Sequence, residues 1–340
     1  MRRPLSPVAT AILVSTLAYS LPSQATHTGS LALGGGNLSA PINTETAVPI
    51  PQGHFAGGLR SEFVKVDRMP QALALRLRAL DDSADLHSVD SLLTTSLGMA
   101  YGLTDDLTVG LRLPYVWREN VSEPEDGEIR QLGNPNGLGD LVAFGQYRFF
   151  HDPAREIHAS VLLGVKTPIG RTRRATREGG VFEAEQQPGS GSWDGIAGLS
   201  YTQQFGLFTF NASTLYTIVT KGTQDTDLGD AFAYNAALSY RLSAGAESPN
   251  TEDYFFLSAH RYAVDLVMEL NGQWRDRQTL AGRTENNSGG HQLYLSPGVR
   301  LTAGQHWSTG FSFGIPLVEH FNGRQDELDY RAVGTLSFYY

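Results

Sequence analysis

The chain has 340 residues, a formal net charge of −9, 37 glycines, 14 tyrosines, 16 phenylalanines and no cysteine. That length admits two ordinary domains or one large barrel. The lack of cysteine excludes a disulfide scaffold and thiol chemistry, the acidic balance argues against nucleic acid or an anionic membrane surface as partner, and a mean hydropathy of −0.23 excludes a bundle of membrane-spanning helices.

The first element is a leader. In MRRPLSPVATAILVSTLAYSLPSQA, Arg2 and Arg3 precede an apolar core from Val8 to Tyr19, and Ser23-Gln24-Ala25 offers a small-x-small cleavage site. The core is too short to span a bilayer. Residues 1–25 therefore read as a secretory signal peptide, whose loss takes the formal charge from −9 to −11 by removing two arginines. Residues 26–53 follow, rich in Gly and Pro, almost uncharged and too irregular to cross a membrane. They form either a plug folded into a lumen or a periplasmic tail.

From residue 54 onward the chain alternates with period two, the period of a strand with unlike faces. LTVGLRLPYVW places Leu107, Val109, Leu111, Leu113, Tyr115 and Trp117 on one face; FTFNASTLYTI does the same with Phe208, Phe210, Ala212, Tyr216 and Ile218. FAYNAALSYRL, AVDLVMELNGQWR and WSTGFSFGIPL repeat the pattern, and noisier versions lie near 55–65, 91–103, 138–149, 158–166, 193–204 and 291–302. The end, DYRAVGTLSFYY, is one more such strand. No segment keeps a helical period over three turns. The expectation is an all-β fold of about twelve strands of about ten residues, the length a tilted strand needs to cross a bilayer; the alternative is about fourteen strands, if 243–262 hides two more.

Three features choose a membrane barrel over a soluble sandwich. The apolar faces are nearly free of charge, while the opposite faces carry Arg60, Glu62, Arg112, Arg148, Lys166, Asp194, Asp265, Glu269, Arg300 and Arg331; lipid enforces that segregation, since Arg or Lys facing the bilayer midplane costs about 2–4 kcal/mol. Connections alternate between short (near 102–106, 205–206 and 303–306) and long (near 67–90, 119–137, 167–192, 221–230, 276–290 and 318–328), as periplasmic turns and outer loops do, with 243–262 the exception. Trp117, Trp193 and Trp274 fall at the outer rim, Trp307 at the inner, with Tyr101, Tyr147, Tyr201, Tyr240 and Tyr340 at the inner rim, as aromatic girdles. The last strand is expected to pair with the first, which leaves no free edge at Tyr340. Residues 54–340 thus read as one transmembrane antiparallel up-and-down β-barrel in the cell outer membrane.

Three motifs lie outside this pattern. His158-Ala159-Ser160 resembles the His-x-Ser pair of the outer-membrane phospholipase family, but here both side chains are expected to face the lumen, with no matching Asn. RTRRATR puts Arg171, Arg173, Arg174 and Arg177 in an outer loop, suited to lipopolysaccharide phosphates or to a solvated surface. QDTDLGD, with Asp225, Asp227 and Asp230, lacks the Glu that closes a calcium loop, and Gly229 suits a hairpin turn. No catalytic residue, resident metal or cofactor is expected.

The strand texts GLGDLVAFGQYRFF (137–150), LLGVKTPIG (162–170), GSGSWDGIAGLSYTQQFG (189–206) and TDLGDAFAYNAALSYRL (226–242) resemble the family named for the MetA pathway of phenol degradation, over most of the chain from about Leu92. The resemblance implies an outer-membrane transporter-like barrel of a Gram-negative bacterium and the passage of small aromatic or other hydrophobic compounds; it supplies no binding residues. The function expected is passive uptake of small molecules by a channel whose solute path is lined by Arg112, Arg148, Lys166, Asp194, Asp265, Glu269 and Arg300. The rivals are a barrel enzyme acting on lipid or lipopolysaccharide and a structural barrel without transport. The expected partners are outer-membrane lipid and lipopolysaccharide, the barrel assembly machinery through the C-terminal strand, and the solute.

Overall fold

The computed structural model describes residues 41–80, 86–243, 262–304 and 306–340. The leader expected over 1–25, residues 26–40 of the next segment and most of the long 243–262 connection lie outside the described residues. Twelve antiparallel strands close into one barrel. They are β1 (Phe55–Asp67), β2 (Ser91–Thr104), β3 (Leu107–Glu119), β4 (Val142–Asp152), β5 (Ile157–Lys166), β6 (Asp194–Phe205), β7 (Phe208–Ile218), β8 (Ala231–Ser243), β9 (Tyr262–Arg275), β10 (Gly290–Ala303), β11 (Trp307–Phe321) and β12 (Glu327–Tyr339). Each pairs with its neighbours in sequence, and β12 returns to β1 from Ala56↔Tyr339 to Asp67↔Glu327. Phe55 and Tyr340 exchange main-chain hydrogen bonds of 2.6 and 2.7 Å at the closure, so the final strand has a partner along its length, as its alternation requires.

The alternation read from the sequence decides which face looks out. Leu97, Met99, Leu111, Leu163, Leu199, Met268 and Phe311 are all exposed, Leu163 at 59%. An apolar band this extensive is unsustainable in water and natural in lipid. All four tryptophans lie on the outer surface, where indole suits the membrane–water boundary. Inward positions are hydroxyls, amides and charges: Thr108, Ser160, Ser200, Thr202, Asn211, Ser213, Asn271, Ser296, Ser312 and Thr335 are buried. The described inner connections are tight; between β6 and β7, Gly206 at φ +63 makes the turn in a conformation that costs a glycine nothing. No described helix is long and apolar enough to cross a membrane.

The long outer connections are folded, which the sequence reading did not anticipate. Gln71–Leu80 forms helix α1, a correction to the absence of helical signal. It is shorter than the three turns that the periodicity test asks for, and it starts on Pro70, whose carbonyl accepts from Leu73 and Ala74. Ala74 and Leu77, three residues apart on one face, pack with Met69 and Leu86. A hairpin of Val121–Glu125 and Glu128–Gly133 rises from the β3–β4 connection, and Asn136–Leu138 adds a short strand beside the upper part of β3. These loops share an apolar core with the upper barrel, in which Val64, Val66, Leu92, Tyr294 and Leu328 meet Val89, Val121, Leu132 and Phe182. The outer mouth is capped. In the wall, β11 and β12 pair only from Trp307↔Phe338 to Gly314↔Arg331. Above that point the Leu328 N–H donates to Glu319 Oε1 at 2.5 Å.

Candidate functional site

Inside the barrel, residues 41–53 run as a strap across the lower bore, and the walls hold it largely through its main chain. The carboxylate of Glu269 on β9 accepts the N–H groups of Ile42 at 3.1 Å, Asn43 at 3.0 Å and Thr44 at 3.2 Å, together with the Asn43 side-chain amide. Three consecutive N–H groups gathered on one anion form a nest. On the carbonyl side, Arg300 on β10 donates to Pro41 O at 2.7 Å, and Arg60 on β1 donates to Ile42 O and Asn43 Oδ1, both at 3.0 Å. The strap then crosses to the opposite wall. Glu45 N donates to Ser213 Oγ on β7, Ala47 N to Thr202 Oγ1 on β6, and Ser160 on β5 and Gln146 on β4 donate to Ala47 O and Thr46 O. Ile50 N reaches Thr108 on β3, and Gly53 leaves the bore by donating to Gly102 O.

Two isoleucines anchor the strap apolarly, and Ile50 is buried with Ala56, Ala100 and Tyr339. Ile42 is fully buried against Val267 and Val333, in a space made by two glycines. A Cβ on Gly298 would stand 2.7 Å from Ile42 Cδ1, and one on Gly310 would stand 3.2 Å from Cγ1. Residues 41–53, the described part of the 26–53 segment, lie inside the barrel.

All seven residues expected on the solute path are on inward faces, and six are buried: Arg112, Lys166, Asp194, Asp265, Glu269 and Arg300. The barrel sorts them into groups. Glu269 and Arg300 meet through the strap, and Arg300 Nε and Nη1 have no hydrogen-bond partner among the described residues. Arg112 feels the charges of the strap's Glu45 and of Arg60 and Glu62. Asp265 is bound in a two-bonded fork by Arg241, at 2.8 and 3.1 Å, with Arg300 its register partner on the other side. Lys166 and Asp194 form an ion pair near the outer end, with Asp140 at 3.8 Å and Ser190 Oγ at 2.6 Å from the ammonium. Arg148 stands apart at the inner rim, 2.7 Å from Asp106 of the β2–β3 turn. The sequence reading missed Arg60 as a clamp, Glu45, Asp140 and Arg241 as partners. Arg241 was legible, because it sits on the inward face of the strand next to Asp265.

The remaining motifs have structural employment. Ser160 gives its proton to the strap carbonyl of Ala47, while His158 contacts Arg148 at 3.3 Å and stacks on His151. Asp225 pairs with Lys221, Asp227 accepts from Gly229 N and Asp230 accepts from Val219 N and Tyr216; their oxygens serve different donors. Arg171, Arg173 and Arg177 are exposed and Arg174 half-buried. A different group in the outer cap, His87 with Glu183 and Glu185, is close enough to hold a metal ion.

The model of the family described as "Putative MetA-pathway of phenol degradation" matches residues 94–261. The chain also resembles the crystal structure of an outer membrane channel from Pseudomonas putida F1, with a TM-score of 0.57 at 14% identity, covering 86% of this chain and 98% of that one. The β domain of the Bordetella autotransporter BrkA matches with a TM-score of 0.47 at 8% identity, covering 85% of this chain and 100% of that one. At these identities the channel likeness speaks to the fold, and the second is too distant to argue from. No curated protein matches by sequence.

Proposed function

We propose that this chain, whose residues 94–261 match that family's model, is an outer-membrane β-barrel of the MetA-pathway phenol-degradation family and a passive channel for small molecules, stopped by its own strap. The observation that carries the reading is how the bore is filled. A barrel built only for stability fills its interior with side chains. This one fills the lower bore with a separate segment, held by hydrogen bonds that water can replace and anchored by two isoleucines, Ile42 and Ile50. Such a stopper can leave without dismantling the wall.

The solute class follows from the family's description and from the lining. Small aromatic compounds carrying a polar group suit a path of hydroxyls and paired charges, whereas a pure hydrocarbon would lose the solvation of that lining without replacing it. Arg112, Asp265, Glu269 and Arg300 are the residues such a solute would meet once the strap is out; Lys166 and Asp194 guard the outer end, and Arg148 the inner. We read the chain as a channel rather than an enzyme, because His158 and Ser160 are engaged elsewhere. Lipid, lipopolysaccharide on the outer leaflet and the assembly machinery at β12 are the partners that this reading brings with it.

Single-channel recording on the refolded mature chain, with and without residues 26–53, tests the proposal. The expected result is a closed or flickering full-length protein and steady conductance after deletion. Silence in both would overturn it.

A further inference from the structure

We propose that the outer cap carries a binding site for a divalent transition ion of the zinc class, formed by His87, Glu183 and Glu185, whose ligand atoms all lie within 4.8 Å of one another, with Glu123 beside His87 Nε2. The four residues come from three outer loops: His87 from β1–β2, Glu123 from the β3–β4 hairpin, and, in β5–β6, Glu183 at the start of and Glu185 within a single helical turn, Ala184–Gln186. His87 is the centre, with a side chain only 4% exposed. Its Nε2 lies 3.3 Å from Glu123 Oε2 and 3.8 Å from Glu183 Oε2, and its Nδ1 lies 4.0 Å from Glu185 Oε1.

Ligands sharing one tetrahedral ion at about 2.1 Å stand about 3.4 Å apart, so the separations of 3.3, 3.8 and 4.0 Å between the imidazole and the three carboxylates close onto an ion with small side-chain movements. Mixed nitrogen and oxygen donors suit zinc-class ions, whereas calcium and magnesium prefer oxygen alone. Arg118 lies beside the cluster, donating to the carbonyls of Glu185 and Gln187.

The placement gives the site a consequence. Val89, Val121 and Phe182, neighbours in sequence of His87, Glu123 and Glu183, belong to the apolar core beneath the cap. An ion taken from the outside medium would pin those three loops to one another over the mouth. The site does not depend on the channel reading, so either can fail without the other.

The test is calorimetric titration of Zn²⁺ into the chelator-stripped, refolded mature chain in detergent, with Ca²⁺ and Mg²⁺ as controls and limited proteolysis of the outer loops as second readout. One saturable Zn²⁺ site is expected, with loops protected at saturation. Affinity should fall at least about tenfold in His87→Ala and in the near-isosteric Glu183→Gln, which keeps the test alive if the alanine variant misfolds. Asp225→Asn should change nothing. Absence of saturable binding, equal binding of Ca²⁺, or binding that both ligand variants leave intact would overturn the site.

Discussion

Replacing Glu269 by glutamine should unlatch the strap while leaving the barrel standing. The carboxylate gathers the N–H groups of Ile42, Asn43 and Thr44 and the Asn43 amide. Glutamine keeps the shape and one acceptor, but turns the other oxygen into an N–H₂ group facing donors. Hydrogen bonds to charged groups contribute about 1.5–3 kcal/mol each. Two are lost, and water regains part of their value once the strap lifts, so the docked state loses about 3 kcal/mol. At 1.4 kcal/mol per decade, that is about 150-fold in the ratio of docked to lifted strap. Arg300 and Arg60 still hold the carbonyls of Pro41 and Ile42, so the variant should flicker open rather than stay open. Single-channel open probability is the assay, with protease resistance of the barrel as the folding control. Wild-type gating in Glu269→Gln, alongside steady conductance on deletion of 26–53, would refute the anchor.

Ile42→Ala should raise open probability by a similar route: a buried isoleucine truncated to alanine loses about 2–5 kcal/mol of packing, and here the loss falls on the docked strap. Lys166→Met should leave Asp194 and Asp140 buried beside each other, costing about 3–5 kcal/mol of stability. It should lower the melting temperature in detergent, and a further Asp194→Leu should restore part of it. Asp326, in the β11–β12 outer loop, accepts from Met69 N and Ser88, while burial pushes its carboxyl up from 3.8 to about 7. A carboxyl raised in the folded state contributes stability that is whole below the unfolded value and is lost as pH climbs through the folded one. Protection of the outer loops from hydrogen exchange should therefore decline between about pH 4 and 7 and level off above that, and Asp326→Asn should flatten that dependence.

The wall was legible because lipid imposes one rule on every strand. Leu111 out and Arg112 in follow from period two alone, as do Met268 and Glu269. What fills the wall was not legible in the same way. The strap is held largely by its N–H and C=O groups, which every residue but proline carries, so nothing in PINTETAVPIPQG marks it as a ligand for Glu269. Its Ile42 was an ordinary isoleucine until Gly298 and Gly310 gave it a seat. The cap failed for another reason. α1 is too short to show its period, and His87, Glu123 and Glu183 are brought together by loops whose course no local pattern encodes. Lys166 and Asp194 fell between these cases, each placed on its face by alternation and joined to the other only by the strand register.

The strap's partners also order events in time. Pro41 is bound by a residue 259 positions further along the chain and Ile42 by one 227 further, so its contacts are among the most distant that the chain makes, and closing them awaits walls made much later. A one-residue slip between strands would turn Glu269, Ser213 or Thr202 towards lipid and leave the strap nothing to grasp. Its docking is therefore a test of assembly: it seats only in a barrel whose strands on both sides of the bore have reached correct register, and a newly inserted barrel becomes tight to its surroundings only after passing that inspection.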